Sequence, residues 1–194
     1  MKKNIRTIGI DDAAFNRRKS NKTFVFGVVV RGCSLVEGVL RTEVQIDGVE
    51  ATDKIVDMIL DSKHHVQLKA IFLRSATIAA FNIIDMNMLR TKTSLPVIAI
   101  LSELPNESEV KKALSNLPDW EYRLNILNHN PPIDKIEFKN QKGRDCKVFF
   151  QQVGMSEKSK IKELLRITSY SSCLPENLRL ADKIGQSFKD FQLR

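Results

Sequence analysis

The sequence predicts an α/β domain built on a mixed sheet, and three observations carry that reading. An apolar opening run, Thr7-Ile8-Gly9-Ile10, stops abruptly at the carboxylates Asp11 and Asp12. Two β-branched stretches then follow one another between residues 23 and 47, with only Gly32 and its neighbours to turn the chain. From residue 49 to 115 the apolar pattern changes to helical and strand-like segments in alternation, the mark of crossover connections and parallel pairing. The length of 194 residues suits a single domain, 1–194, large enough to bury a core without metal or disulfide staples.

The elements follow in order. Thr23 to Val30, Thr-Phe-Val-Phe-Gly-Val-Val-Val, reads as a central strand because β-branched and aromatic side chains suit a pleated, buried surface. The strand from Leu35 to Asp47 sets Leu40, Thr42, Val44 and Ile46 on one face and Arg41, Glu43, Gln45 and Asp47 on the other. Together with the opening run these make three consecutive strands, most simply an antiparallel meander. Ile55, Val56, Ile59 and Leu60 predict a helix over about 49–62. Lys69 to Leu73 is a buried-strand run, Ile78 to Leu89 reads as a helix, and Pro96 to Leu101 as another strand with its proline at the tolerated first position. Asn106 and Glu109 have capping-box spacing before a helix bearing Val110, Ala113 and Leu114. A short helix and a loop are expected over 118–132. Ile133 to Lys139 and Cys146 to Val153 read as a hairpin inserted beyond the main sheet, its tip and flanks carrying Lys139, Lys142, Arg144 and Lys147. Ser156 can cap a helix bearing Ile161, Leu164 and Leu165, and Pro175 opens a last one striped by Leu178, Ala181, Ile184 and Phe188.

Composition narrows the partners. Lys and Arg number 31 against 23 Asp and Glu, a formal charge of +8, and the pI is about 9.5. That balance favours an acidic partner, of which nucleic acid is the commonest. The three cysteines, Cys33, Cys146 and Cys173, lack CxxC spacing and argue against a disulfide framework or a structural zinc site. A reducing compartment is expected, and with it a soluble, cytoplasmic protein. The basic start Met1-Lys2-Lys3 is not followed by a signal-peptide core, and the apolar run Phe24–Val30 falls far short of the roughly 20 residues of a membrane span.

Three antiparallel strands followed by alternating helices and parallel strands is the element order of the ribonuclease H-like fold. In such a sheet the first strand lies beside the strand that follows the first helix, so Asp11 and Arg74 become neighbours at two adjoining strand ends. Carboxylates at such a place can hold two divalent metals about 3.5–4 Å apart for phosphodiester cleavage. Candidate ligands are Asp11, Asp12, Asp47 and Asp182, with Glu50 and Asp53 as lesser ones. Glu50 also has capping-box spacing from Asp47, and Asp53 suits the first turn of a helix. His64 and His65 are adjacent, cannot share a helix face and read as surface residues.

Five segments in one order carry a family resemblance: Ile8-Gly9-Ile10-Asp11-Asp12, Gln45 through Asp53, Thr77-Ile78-Ala79-Ala80-Phe81-Asn82, Leu95-Pro96-Val97 and Leu174 through Ala181. Together they resemble the DUF99 family, also called UPF0215, which is itself similar to endonuclease V and has been labelled endonuclease dU. The resemblance implies a ribonuclease H-like fold and a Mg- or Mn-dependent nuclease acting on nucleic acid with altered bases. It places the first-strand acid at Asp11 and a second acidic cluster at Asp47, Glu50 and Asp53, making Asp11 and Asp47 the candidate catalytic pair.

Two departures stand against that pattern. After Ile71-Phe72-Leu73 the family pattern usually has Asp-Gly, whereas this chain has Arg74-Ser75, and its Gly-Gly-like step before Phe81 is Ala79-Ala80. A guanidinium roughly 4 Å from a carboxylate is worth on the order of 4 kcal/mol at the effective dielectric of a protein surface. Arg74 is therefore expected to pair with Asp11 and neutralise the site, or else to point into solvent and leave a site of Asp11, Asp47 and the last helix. Two functions remain: a metal-dependent endonuclease, impaired by Arg74, with Arg17, Arg18, Lys19, Lys142 and Arg144 gripping DNA or RNA; or a non-catalytic module binding nucleic acid or a protein on the same fold.

Overall fold

A computed structural model describes residues 4–191, with side-chain surroundings as far as Phe188. Strands β1 (Arg6–Asp12), β2 (Lys22–Arg31) and β3 (Leu35–Gln45) form the expected antiparallel meander. Helix α1 (Ala51–Leu60) crosses to β4 (Leu68–Leu73), which pairs parallel to β1. A two-stranded ribbon, β5 (Thr77–Ile78) and β6 (Asn82–Ile83), precedes α2 (Met86–Thr93) and β7 (Val97–Leu101), the latter parallel to β4. Helices α3 (Glu107–Leu114) and α4 (Trp120–His129) lead to the hairpin β8 (Asp134–Lys139) and β9 (Asp145–Val153), then to α5 (Lys158–Thr168) and α6 (Glu176–Phe191). The main sheet has seven strands in the order β3-β2-β1-β4-β7-β9-β8.

Its two faces are covered by different helices, as alternation along each strand requires. Ile8, Ile10, Ile71 and Leu73 pack with Ile55, Ile59 and Leu89 of α1 and α2, whereas Phe72, Ile98 and Ile100 pack with Ile161, Leu164 and Leu165 of α5 and Leu178 of α6. Helix α6 lies directly against β1, and two glycines permit it. A Cβ on Gly9 would come within 2.4 Å of the Leu178 backbone nitrogen, and one on Gly185 within 2.5 Å of the Asp12 carbonyl oxygen. The Asn177 amide, fully enclosed, donates to Thr7 Oγ1 at 2.8 Å and fixes the register of α6 on the strand.

Four expectations change. Residues 78–85 are a ribbon and turn, not helix, because Ala79 and Ala80 take left-handed backbone angles, φ 46° and 68°. The β8–β9 hairpin is not appended beyond the main sheet but completes it, β9 pairing antiparallel with β7 from Val97–Val153 to Leu101–Phe149. Cys146 is bonded to Cys173, tying β9 to the segment before α6, so the cysteine pattern no longer argues for a reducing compartment. His65 is not merely superficial: its ring Nε2 lies 2.9 Å from the Thr93 carbonyl, which it can satisfy as a donor. Among the described residues no helix is long and apolar enough to cross a membrane.

Candidate functional site

Asp11 and Asp12 are the last residues of β1, at the edge of the sheet where β4 and β7 also end. The strand adjacency inferred from the order of elements is present: Ile10 lies opposite Leu73, and the Arg74 N–H donates to the Ile10 carbonyl at 3.3 Å. Asp11 is only 8% exposed. Burial, above all, pushes its carboxyl up to about 7; the charges of Asp12 and Asp182 add to this, while the Asp12 backbone N–H and Arg74 oppose it. Asp12 is likewise raised by burial. It is drawn back down by the Ala79 N–H, its own N–H and the Asp11 side chain. The pair is thus one buried acid system that holds a proton near neutrality, with Asp182 on α6 near enough to bias it.

Asp182 itself is half-exposed. It accepts a hydrogen bond from Gln186 Nε2 at 2.7 Å and has Lys183 Nζ at 3.8 Å. The other predicted acids do local work. Asp47 sits past the end of β3 in a turn with φ 56°; its carboxylate accepts from the Phe81 N–H at 3.1 Å and from Arg17 at 3.3 Å. Glu50 accepts from the N–H groups of Gln45 at 2.6 Å and Val49 at 3.0 Å, closing the turn before α1, and Asp53 is an exposed first-turn acid.

Asp12 and Asp47 meet across the Thr77–Ile83 ribbon. Asp12 Oδ2 accepts from the Ala79 N–H at 2.7 Å, and the Asp47 N–H donates to the Ala79 carbonyl at 3.0 Å. Arg123 completes this bracket from α4. The residue is 3% exposed, and its side chain donates to the carbonyls of Asp47 at 2.6 Å, Gly48 at 2.7 Å and Phe81, with Asp119 closing the other side at 2.8 Å. Sequence reasoning missed Arg123, since nothing near Trp120 and Tyr122 marks it as a residue that reaches back some 76 positions.

The predicted ion pair between Arg74 and Asp11 is not formed. The guanidinium turns along the strand ends toward β7, donating to the Ile100 carbonyl at 3.3 Å and Ser102 Oγ at 2.9 Å. Its backbone position is the expected one, but these neutral acceptors hold its side chain. Its effect on Asp11 is the smallest of those acting there. The donor set falls short of a two-metal centre: one oxygen of Asp12 is committed to Ala79, one oxygen of Asp47 to both Phe81 and Arg17, and a cation stands at the adjoining strand end. Among the described residues no group of three or more His, Cys, Asp and Glu side chains could hold a metal ion.

The predicted basic residues divide. Arg17, itself exposed, reaches Asp47 and lies 6.0 Å from the centre of the Phe81 ring, while Arg18 and Lys19 are exposed in the loop after β1. Lys142 lies over the Tyr170 ring at 4.8 Å, and Arg144 is exposed beside it at the hairpin tip. Register places that tip. Asp12 is level with Leu101 and Phe149, so residues 145–148 carry the hairpin four residues past the end of β7, roughly 13 Å at a strand's rise per residue. Next to the Thr77–Ile83 ribbon lies a cavity of about 380 Å³ lined in part by Phe81, Leu101, Leu127, Pro131, Gln151 and Ser75.

A mixed seven-stranded sheet with buried acids at the end of its first strand defines the class: a ribonuclease H-like α/β protein. Comparison with known proteins agrees. The endonuclease dU family model matches residues 3–189, and the chain belongs to that family. A UPF0215 protein of Methanosarcina barkeri is 35% identical over 185 residues, 95% of this chain and 91% of its own. A crystal structure of a protein of unknown function from Archaeoglobus fulgidus superposes with a TM-score of 0.82 at 31% identity, covering 95% of this chain and 98% of that one. Ciona intestinalis endonuclease V, in complex with a 24mer DNA containing an inosine followed by a ribo-adenosine, shares the fold with a TM-score of 0.61 at 11% identity, covering 98% and 87%.

Proposed function

We propose that this protein binds nucleic acid across the strand-end edge of its sheet, in the manner of an endonuclease V-like enzyme, with metal-dependent phosphodiester cleavage reduced or lost. The observation that carries the reading is a buried, proton-holding Asp11 at a strand end whose neighbour ends in Arg74, with the guanidinium held by Ile100 and Ser102 and not by a carboxylate. In an acidic centre, carboxylates would draw Mg²⁺ or Mn²⁺ to the scissile phosphate. Here the proton held by Asp11 lowers the field that would do so, and Arg74, turned toward β7, adds a smaller part. Arg74 itself suits a phosphate oxygen, since Ile100 and Ser102 are neutral acceptors that leave its charge unspent.

On the same edge Arg18, Lys19, Lys142 and Arg144 supply phosphate contacts on either side of the acids, and the cavity beside Phe81 has room for an unstacked base. Arg17 serves more to hold Asp47 than to grip a strand. The retained Asp11–Asp12 pair, with Asp182 near it, supports a second reading in which weak cleavage persists.

The experiment is a cleavage and binding assay on single-stranded, duplex and deaminated substrates with Mg²⁺ and Mn²⁺, using Asp11→Asn as the control. Salt-sensitive binding with little or no cleavage is expected. Efficient cleavage abolished by Asp11→Asn would replace the first reading with an active nuclease, and no binding to any substrate would end both.

A further inference from the structure

We infer that the free edge of β8 and the outer side of α5 form a second seat for nucleic acid that takes phosphate backbone without reading bases. It rests on the nucleic-acid binding proposed above but uses other residues. β8 is the last strand of the sheet, four strand spacings or roughly 19 Å from β1. Along its edge run two hollows of about 440 and 570 Å³, made continuous by Glu137 and Lys162, which line both. Their walls carry Lys135, Lys139, Lys147, Lys158, Lys162 and Arg166 against only Glu137 and Asp145.

The acids of this furrow are already answered. Lys135 lies 3.1 Å from Glu137 and Lys139 lies 3.2 Å from Asp145, while Lys158 meets Asp134 on the rim at 2.7 Å. Lys135, by hydrogen bonding, holds the Glu137 carboxyl below its usual range, with Lys147 and Lys162 adding their charges, so these lysines converge on one place. Lys147, Lys162 and Arg166 remain as surplus positive charge. Lysines on an edge strand often serve only to prevent sheet-to-sheet association. That role covers Lys135 and Lys139 but not Lys147, which is on the inner strand, nor Lys162 and Arg166, which are on the helix.

An extended anion matches this shape better than a compact one. The six residues of β8 run for roughly 20 Å, long enough to follow a stretch of phosphate backbone and too long for a single anion. β8 is parallel to β1, so the furrow leads to the same hairpin tip that rises past Asp12. A backbone leaving the strand-end edge by Lys142 and Arg144 can therefore continue along it. An acidic peptide added as a further strand would instead need apolar recesses for alternate side chains, and the exposed residues of β8 are charged.

The test compares the full chain with the triple variant Lys147→Ala, Lys162→Ala, Arg166→Ala, all at exposed positions, by fluorescence anisotropy on a duplex of about 20 base pairs over a range of salt. Polyglutamate serves as competitor, and thermal melting checks the fold. The variant is expected to melt as the parent does, bind roughly tenfold or more weakly, and show a log-affinity against log-salt slope shallower by about 2 to 3. Unchanged affinity and slope in a parent that binds would overturn the furrow and leave the proposed function standing. Polyglutamate displacing the duplex at equal charge would assign the furrow to acidic protein instead. A parent that binds no nucleic acid would end both proposals.

Discussion

Replacing Asp11 with asparagine tests how the buried acids are balanced. The carboxyl is driven to about 7 in the folded protein, chiefly by burial, against 3.8 when solvated. At about 1.4 kcal/mol for each tenfold change in proton affinity, that rise amounts to about 4 kcal/mol, shared with Asp12 because the two titrate together. The folded state binds a proton between pH 4 and 7 that the unfolded state has released, so this group makes stability fall as pH rises through that window. Below pH 4 both states are protonated and nothing is lost; above 7 the full cost is present. Asparagine keeps an oxygen for the Asp12 N–H, which Asp11 Oδ1 accepts at 3.1 Å, and cannot ionise. Urea denaturation of both proteins at pH 4, 6 and 8 should give nearly equal stabilities at the lowest pH and a variant several kcal/mol more stable at the highest. A difference independent of pH, or a parent more stable at pH 8, would refute the reasoning.

Two further variants probe the bracket that holds the Thr77–Ile83 ribbon. Ala80→Gly should stabilise the protein by about 1 kcal/mol in the same denaturation assay, since a left-handed alanine is strained where glycine is not. Arg123→Ala should cost about 3 kcal/mol or more, because the carbonyls of Asp47, Gly48 and Phe81 would lose their charged donor; calorimetric melting would show it as a large drop in Tm.

How far the sequence disclosed this structure depends on the range of the forces involved. The meander was legible because β2 is a continuous buried run rich in β-branched residues and β3 alternates from Leu40 onward, and the parallel pairing of β1 with β4 followed from the crossover through α1. Residues 78–85 misled because Ala79 and Ala80 favour helix locally, whereas Asp12, Asp47 and Arg123 fix them from far along the chain. The hairpin could be read from two alternating runs, but no local pattern says that β7 is its neighbour. At the site, strand order brought Arg74 beside Asp11, yet its side-chain direction depends on Ile100 and Ser102, some 26 and 28 residues on. Asp182 could be named as a candidate acid on the last helix, but not placed, and the glycines Gly9 and Gly185 that let the helix close on β1 are what bring it near Asp11.

The claim on which the functional account turns is that the acids at the end of β1, with a cation and not a carboxylate at position 74 of the adjoining strand end, hold divalent ions weakly. Calorimetric titration with Mn²⁺ tests it directly, comparing the parent with Arg74→Asp. Binding too weak to resolve in the parent and at least about tenfold tighter in the variant is the predicted result. Equal affinities, or tight binding by the parent that disappears in Asp11→Asn, would contradict it.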